Sequence, residues 1–582
     1  MLSQPSESLQ SSSKTNQHFD IGLVEDSVLR AVCQRFIFLP TLRPSDVLQI
    51  TESPRRLRTI RANIHRNQGF ELIARFLTPF AAFAGYDLQT SLSAYDDSLS
   101  FQNCSPAEIE IVWLDYLRFL RASPAEEVAS FVVERIAMLR AVTNAPILIN
   151  SSVACDPLSI QFDAALEARL AHLPGVHVCK LSEALRSLGA SALDPRAEKI
   201  TGTKLSSLAM IQLARSLGLQ WIPGALFPRV KAIALDLDDT LYSGVLGEDG
   251  IQVMFTDGHR LLHEKLLELR RKGTFLILVS KNERADVEEL FRTRDDFPLR
   301  FNDFSYVGVD WSQKTDAIGH AAAHLRIDAE SILFVDDNPG EIMSVVSTLP
   351  KIRTLHAFPD GAETARALDL FPGVFSWTTS NTDALRVTDL HATAERESLA
   401  SHYSDPMHYL ASLKICVGFQ RNHQDQTARL TELSNKTNQF NLALKRFTAA
   451  QVARYMDSPD RSVVSISMRD RLSDSGNIGA LFARLERDLL IVEELCISCR
   501  ALGRNLEDLL VLGGVGYVRA DQKFDRIAFE MQVGARNEPA RVWLSQLLHK
   551  PIDRLAAREE MPWRPEDIRA MLAEYPVTVI ND

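Results

Sequence analysis

The sequence predicts a multidomain α/β protein organised around a central parallel sheet, and three observations predict it. The chain is 582 residues long, which by length is three or four domains of ordinary size. Short, continuous apolar runs alternate with amphipathic stretches, the pattern of buried parallel strands joined by crossover helices. In the middle of the chain, successive runs each deliver a carboxylate, a hydroxyl or a lysine at the same end, which is where open α/β sheets place their ligands.

The first of these central elements lies in KAIALDLDDTLYSGVLGEDG, Lys231 to Gly250. Ile233, Ala234 and Leu235 read as a buried strand with Asp236 and Asp238 at its C-terminal end. Carboxylates at i and i+2 point the same way off an extended backbone, so they can share a metal ion and one phosphoryl group. The stretch from Asp257 to Lys272 is expected to be the helix that returns the chain to the next strand. That leaves 241–256 as a small flap, so the site is expected to stay open to a phosphate carried on something bulky. Phe275 to Val279 forms the second strand and ends on Ser280, Lys281 and Asn282. Tyr306 to Asp310 forms the third, with Lys314 just beyond it at the start of an amphipathic helix. Ile332 to Val335 forms the fourth and ends on Asp336-Asp337-Asn338-Pro339.

These residue types suit phosphoryl transfer through an aspartate nucleophile. Asp236 is the candidate nucleophile, and Asp238 is the acid/base that protonates the leaving oxygen and then deprotonates water. The oxygen-only set of Asp236, the backbone carbonyl of Asp238, and Asp336 suits Mg2+, with Asp337 either a ligand or an orienting group. Lys314 and the Ser280 hydroxyl would stabilise charge on the moving phosphoryl group. Asn282 and Asn338 read as turn formers.

The order Asp236/Asp238/Thr240, Ser280, Lys314, Asp336/Asp337 resembles the four motifs of the haloacid dehalogenase (HAD) superfamily. LDLDDTLYSGVLGEDG, SKN, Trp311-Ser312-Gln313-Lys314 and DDNP are more specifically similar to its FkbH-like branch, subfamily IIIC. The resemblance implies a HAD-type Rossmann-like domain over residues 226–375, Mg2+ as cofactor, and a phosphatase or phosphotransferase acting in secondary-metabolite biosynthesis.

The flanks carry their own expectations. Residues 1–20 read as a disordered tail. In 21–225, Arg35 to Leu39, Pro146 to Asn150 and Val176 to Val178 read as strands, and Ala107 to Arg121 and Pro124 to Val142 as helices. This region resembles the SGNH-hydrolase-like (flavodoxin-like) domain that precedes the phosphatase domain in longer FkbH-like proteins. It lacks that family's catalytic motifs: the first strand would run into Thr41-Leu42-Arg43-Pro44, and Ser206-Ser207-Leu208-Ala209 stands where a histidine is wanted. A binding or scaffolding role follows. Residues 376–395 read as a linker, and 396–582 resembles the acetyltransferase-like (GNAT) domain that closes FkbH-like proteins. There, strands Ile478 to Glu486 and Leu489 to Ser498 flank an Arg487-Asp488 turn. By that resemblance, Arg500, Gly503 and Arg504 at the following strand-to-helix turn would bind a pantetheine or pyrophosphate group, with Asn505 where Gly or Ala is usual. The alternative is that the two arginines only hold the domain together. Cys496 and Cys499 read as buried structural cysteines, because no second ligand pair accompanies them. Asp405-Pro-Met-His408 has Asp-x-x-His spacing outside the region where esterase chemistry would use it.

Composition narrows the partners. A net charge of −11 gives no general attraction for nucleic acid or anionic membrane. Seven cysteines without disulfide-framework spacing suggest a reducing compartment, and with no signal peptide the expected location is cytoplasmic. No apolar run approaches the length of a membrane span. The substrate expected is a phosphorylated small molecule, with a phosphopantetheinylated acyl or peptidyl carrier protein as partner. FkbH-like proteins that load a glyceryl unit from 1,3-bisphosphoglycerate onto such a carrier hold a cysteine immediately before Ser-Lys-Asn, and here that position is Val279. Three readings stay open: a phosphatase or phosphotransferase, a glyceryl or acyl transferase, and a non-catalytic carrier-binding scaffold.

Overall fold

The computed structural model describes residues 21–581 apart from 51–53, 55, 102–104, 155, 378–391, 393–394, 397, 401, 499, 503 and 520–522. The expected tail, most of the expected linker, Cys499 and Gly503 therefore lie outside the described residues. Three sheets give the multidomain α/β architecture that the sequence predicts.

The first sheet comprises β1 (Arg58–Arg66), β2 (Tyr86–Tyr95), β3 (Ile109–Trp113), β4 (Ile147–Asn150) and β5 (Val176–Cys179) in the order β2-β1-β3-β4-β5. All pairings are parallel, which is the flavodoxin-like arrangement. Two expectations are corrected here. Arg35 to Leu39 is not the first strand, because it falls largely in the helix Ile21–Ile37. A short apolar run does not distinguish strand from helix, and Cys33 and Ile37, one turn apart, both face the core. Nor is Ala107 to Arg121 a helix, since it contains β3, buried on both faces. Its charged residue disguised it: Glu110 is buried and accepts hydrogen bonds from Asn63 (3.2 Å) and shares one with His65 (2.8 Å), both on β1. The true first strand leads into Asn67-Gln68-Gly69, which offers no nucleophilic hydroxyl.

The second sheet comprises β6 (Ala232–Leu235), β7 (Phe275–Ser280), β8 (Tyr306–Val309), β9 (Ile332–Asp336) and β10 (Arg353–His356), ordered β10-β9-β6-β7-β8 and wholly parallel. Strands 6, 7 and 9 are completely buried, which explains their unbroken apolar runs. The helix Asp257–Arg271 returns the chain from β6 to β7, as expected, with Thr256 capping it. Gln34, on the helix Ile21–Ile37, pairs with the backbone of His356 through its amide nitrogen (2.7 Å) and oxygen (3.1 Å), tying the N-terminal segment to β10.

The third sheet is mixed, running β17-β16-β15-β14-β13-β11-β18, with a two-residue strand on β15. Its members are β11 (Cys416–Arg421), β12 (Phe440–Asn441), β13 (Arg461–Arg469), β14 (Asp474–Glu486), β15 (Leu489–Ile497), β16 (Arg526–Glu530), β17 (Arg558–Pro562) and β18 (Thr578–Asn581). Strands 14 and 15 and the turn between them stand as the sequence suggests. Parallel pairing of β15 with β16 covers only Leu489 to Val492 against Arg526 to Phe529. Further along β15, β12 takes the vacated edge at Cys496 and Ile497.

Candidate active site

The order of the second sheet reverses between β6 and β9: the chain leaves β6 for β7 on one side and later returns to its other side as β9. Such a switch point opens a crevice at the C-terminal strand ends. Asp236 follows β6 directly, and Asp336 is the last residue of β9. Both are buried, and Lys314 Nζ lies between them, 2.7 Å from Asp236 Oδ1 and 2.7 Å from Asp336 Oδ2. Lys314 opens the helix Lys314–His324, so the chain places its ammonium group from the β8 side.

Electrostatics in this crevice are strongly coupled. Burial pushes the Asp236 carboxyl up, Lys314 opposes that shift and Asp336 adds to it. The two carboxylates raise Lys314 against the desolvation that lowers it. Burial and the neighbouring acids also raise Asp337. Asp236, Asp336 and Asp337 each bring a carboxylate oxygen to within 4.8 Å of the others. Three carboxylates against one lysine leave an excess of negative charge on hard oxygen donors, a set that fits a divalent cation such as Mg2+.

Asp238 stands apart from this cluster. Its Oδ1 accepts from the Tyr242 hydroxyl (2.6 Å) and the Leu246 backbone N–H (2.8 Å), while its Oδ2 accepts from Asn282 Nδ2 (2.7 Å). Asn282 also donates to Ser280 Oγ at 2.9 Å, so the Ser280 and Asp238 sides of the site are joined by one amide. Two residues thus gain a place that the sequence reading did not give them. Asn282 is a buried site residue as well as a turn former. Tyr242 is fully buried, and burial and Asp238 together hold its phenol far above the ordinary range. The signal for both was spacing, because each lies within a few residues of a motif carboxylate or hydroxyl. Thr240 is buried with no hydrogen-bond partner for Oγ1. Asn338, by contrast, caps the helix Pro339–Thr348, as a turn former would.

A tight turn assembles this geometry. Asp239 takes a left-handed φ of 49° and its side chain accepts from Gly244 N–H (2.7 Å), folding the chain back after Asp238. The flap is small, as expected: a helical turn at Leu246–Asp249, a 3-10 turn at Gly250–Gln252 and an isolated bridge between Ser243 and Met254. Val279 is buried within β7.

The turn expected to bind pantetheine has a different character. Arg504 is buried and donates to Asp470 Oδ2 (3.3 Å) and to the Arg500 carbonyl (3.3 Å). Arg396 donates to the same Asp470 (2.8 Å), so Arg504 works inside the domain. Asn505 has a φ of 51°. Cys496 is buried and its thiol is pushed up by burial. His408 and Asp405 form an exposed pair (3.2 Å) on one helix, away from the central crevice in sequence and sheet.

No family model and no curated protein matches the chain. Among solved structures it is similar to the N-terminal part of protein BF1531 from Bacteroides fragilis, which contains a phosphatase domain complexed with Mg. That match has 16% identity and a TM-score of 0.48, and it covers 60% of this chain and 99% of the other. It is also similar to a GNAT-family acetyltransferase from Streptococcus pneumoniae, at 14% identity and a TM-score of 0.18, over 23% of this chain and 83% of that one. An uncharacterised protein from Corynebacterium glutamicum matches at 15% identity and a TM-score of 0.18, over 24% of this chain and 95% of that one. Among the described residues, no helix is long and apolar enough to cross a membrane.

Proposed function

We propose that the chain is an Mg2+-dependent phosphatase or phosphotransferase of the FkbH-like kind, with Asp236 as nucleophile. The observation that carries this reading is the Lys314 ammonium held at 2.7 Å from both Asp236 and Asp336 in a buried crevice at the strand-order switch. Asp236 attacks phosphorus, the bond to the leaving oxygen breaks, and an aspartyl phosphate forms. Lys314, Ser280 and the buried hydroxyl of Thr240 are the donors available to the phosphoryl oxygens. Asp238 supplies a proton to the leaving oxygen, then removes one from water, whose oxygen attacks phosphorus and restores Asp236. Tyr242, Asn282 and the Leu246 amide fix Asp238 in place during both steps. Asp236, Asp336 and Asp337 would hold Mg2+, which when bound neutralises the phosphoryl group and offsets the charge of the crevice.

The substrate class we propose is a phosphorylated small acid or a carrier-protein-bound intermediate in a biosynthetic pathway, admitted because the flap is small. Acyl loading through a thioester before Ser-Lys-Asn is disfavoured: Val279 has no thiol. Incubation with Mg2+ and a panel of phosphorylated three-carbon acids, with and without a phosphopantetheinylated carrier protein, tests the proposal. Phosphate release that requires metal and disappears in Asp236→Asn is the expected result. A mass adduct on the carrier, with phosphate released only alongside it as the leaving group of an acyl phosphate donor and none released when the carrier is absent, would replace this reading with acyl transfer.

A further inference from the structure

A second cavity of about 310 Å³ lies at the opposite end of the central sheet, in the seam with the third domain. Lys231 and Phe275, at the N-terminal ends of β6 and β7, form its floor, and the loop that follows helix Lys314–His324 forms one wall. The other wall is the third domain: the end of helix Thr427–Lys436, the turn after it, Ile497 at the end of β15, and Ser498 and Arg500 beyond it. We propose that this seam is a binding site for a small phosphate- or pyrophosphate-bearing anion, separate from the crevice at Asp236.

Charge is the first argument. Among the described residues, Lys231, Arg326, Arg429, Lys436, Arg500 and Arg536 line the cavity, with two carboxylates, Asp328 and Glu432. Arginine forks match phosphate oxygens, and four of the six cations are arginines. Preorganisation is the second. Arg429 is anchored to the Asn477 carbonyl through Nε (3.1 Å) and Nη2 (2.8 Å), and Glu432 is shared between Arg429 (2.8 Å) and Lys436 (2.6 Å). Arg536 pairs with Asp328, and Arg326 reaches the Leu502 carbonyl at 3.4 Å, so the two domains hold each other's cations in position. Shape is the third. The volume falls at the lower end of small-molecule sites, which favour domain interfaces, and Leu325, Ile327, Leu433 and Ile497 give apolar walls beside the charged end. Access follows from a neighbouring cleft of about 2220 Å³ bordered by all three domains, which shares Lys231, Arg429 and Lys436 with the cavity.

Pyrophosphate, titrated calorimetrically into the full chain in EDTA at constant ionic strength, is the probe. Wild type and Asp236→Asn are expected to bind it equally, which keeps this test independent of the phosphatase reading. Lys231→Glu with Arg500→Glu, and separately Ala322→Trp, which fills the cavity without removing a charge, are expected to weaken binding by about tenfold or more. In wild type, pyrophosphate should slow amide exchange in 325–328 and at Ile497, Ser498 and Arg500 and leave 236–240 unchanged, a readout that needs no variant to fold. The proposal is overturned if wild type does not bind, if Asp236→Asn loses binding, or if protection appears only around Asp236.

Discussion

The central and third sheets each contain a place where neighbouring parallel strands leave an opening, and the chain treats the two openings in opposite ways. Between β6 and β9 the opening is lined with Asp236, Asp336 and Lys314 and covered by only a short flap. Beside β15, where β16 stops pairing after Val492, the opening is filled by the chain's own segment from Phe440. Leu442 N–H donates to the Leu495 carbonyl (3.0 Å), and its carbonyl accepts from Gln532 N–H (3.0 Å), so one residue bridges the two sides. Buried Glu494 accepts from the backbone N–H groups of Ala443 (3.2 Å) and Lys445, and buried Asn537 donates to the carbonyls of Asn441 (3.0 Å) and Gln532 (2.8 Å). Parallel strands that diverge expose unpaired backbone groups. Those groups become a ligand site only where the protein does not satisfy them itself.

The comparison breaks most visibly at Asp236, the proposed nucleophile. Asp236→Asn should lower metal-dependent phosphate release by on the order of 10⁴-fold while leaving the fold intact, measured by steady-state phosphate assay and circular dichroism. Lys314→Met should cost about 10²- to 10³-fold in rate. It should also cost roughly 3 kcal/mol of stability without metal, because it leaves two carboxylates buried without their counter-charge. Added Mg2+ should restore part of that stability, seen as a larger metal-induced rise in Tm than in wild type. Tyr242→Phe removes one of three donors to Asp238 and should reduce kcat by about tenfold.

On the third domain the expected effects fall on stability alone. Asn537→Ala should destabilise by about 1 to 3 kcal/mol in denaturant melts, since two carbonyls lose a buried donor, with phosphate release unchanged. A change in rate as large as that of Tyr242→Phe would mean that the two openings are coupled. The smallest effect is a slope. Burial pushes Glu494 up to about 7, while the amides that it accepts from work against the shift. The folded chain therefore keeps a proton that the unfolded chain has lost between pH 4.5 and about 7. Stability from this group falls as pH rises through that window and is level above it. Glu494→Gln should flatten that segment of the stability-pH curve.

Legibility followed the same division. Asp236, Ser280 and Asp336 were readable because each sits at the end of a fully buried strand, where an unbroken apolar run makes the polar terminus stand out, and Lys314 was readable at the start of the helix that follows β8. Asn282 and Tyr242 were harder, since their partner is Asp238 across a turn whose left-handed Asp239 no periodicity announces. In the first sheet, β1 carries Arg58, Arg61 and Arg66 around a buried run that includes the polar Asn63 and His65, and β3 carries an internal glutamate. The first was passed over and the second misread as helix, because the burial of Asn63, His65 and Glu110 depends on partners from the neighbouring strand. The segment from Phe440 to Lys445 gave no sign of filling a gap, because its partners Glu494, Gln532 and Asn537 are far along the chain.

The sequence by itself determined the α/β class, the parallel central sheet and the convergence of Asp236, Ser280, Lys314 and Asp336, because strand burial and the polarity of strand ends are local properties. Only the tertiary structure decided which acids join into one cluster, which donors hold Asp238, which opening the chain fills and where cations gather between domains. Each of these depends on the distance between groups remote in sequence, and Coulomb and hydrogen-bond energies act through distance in space.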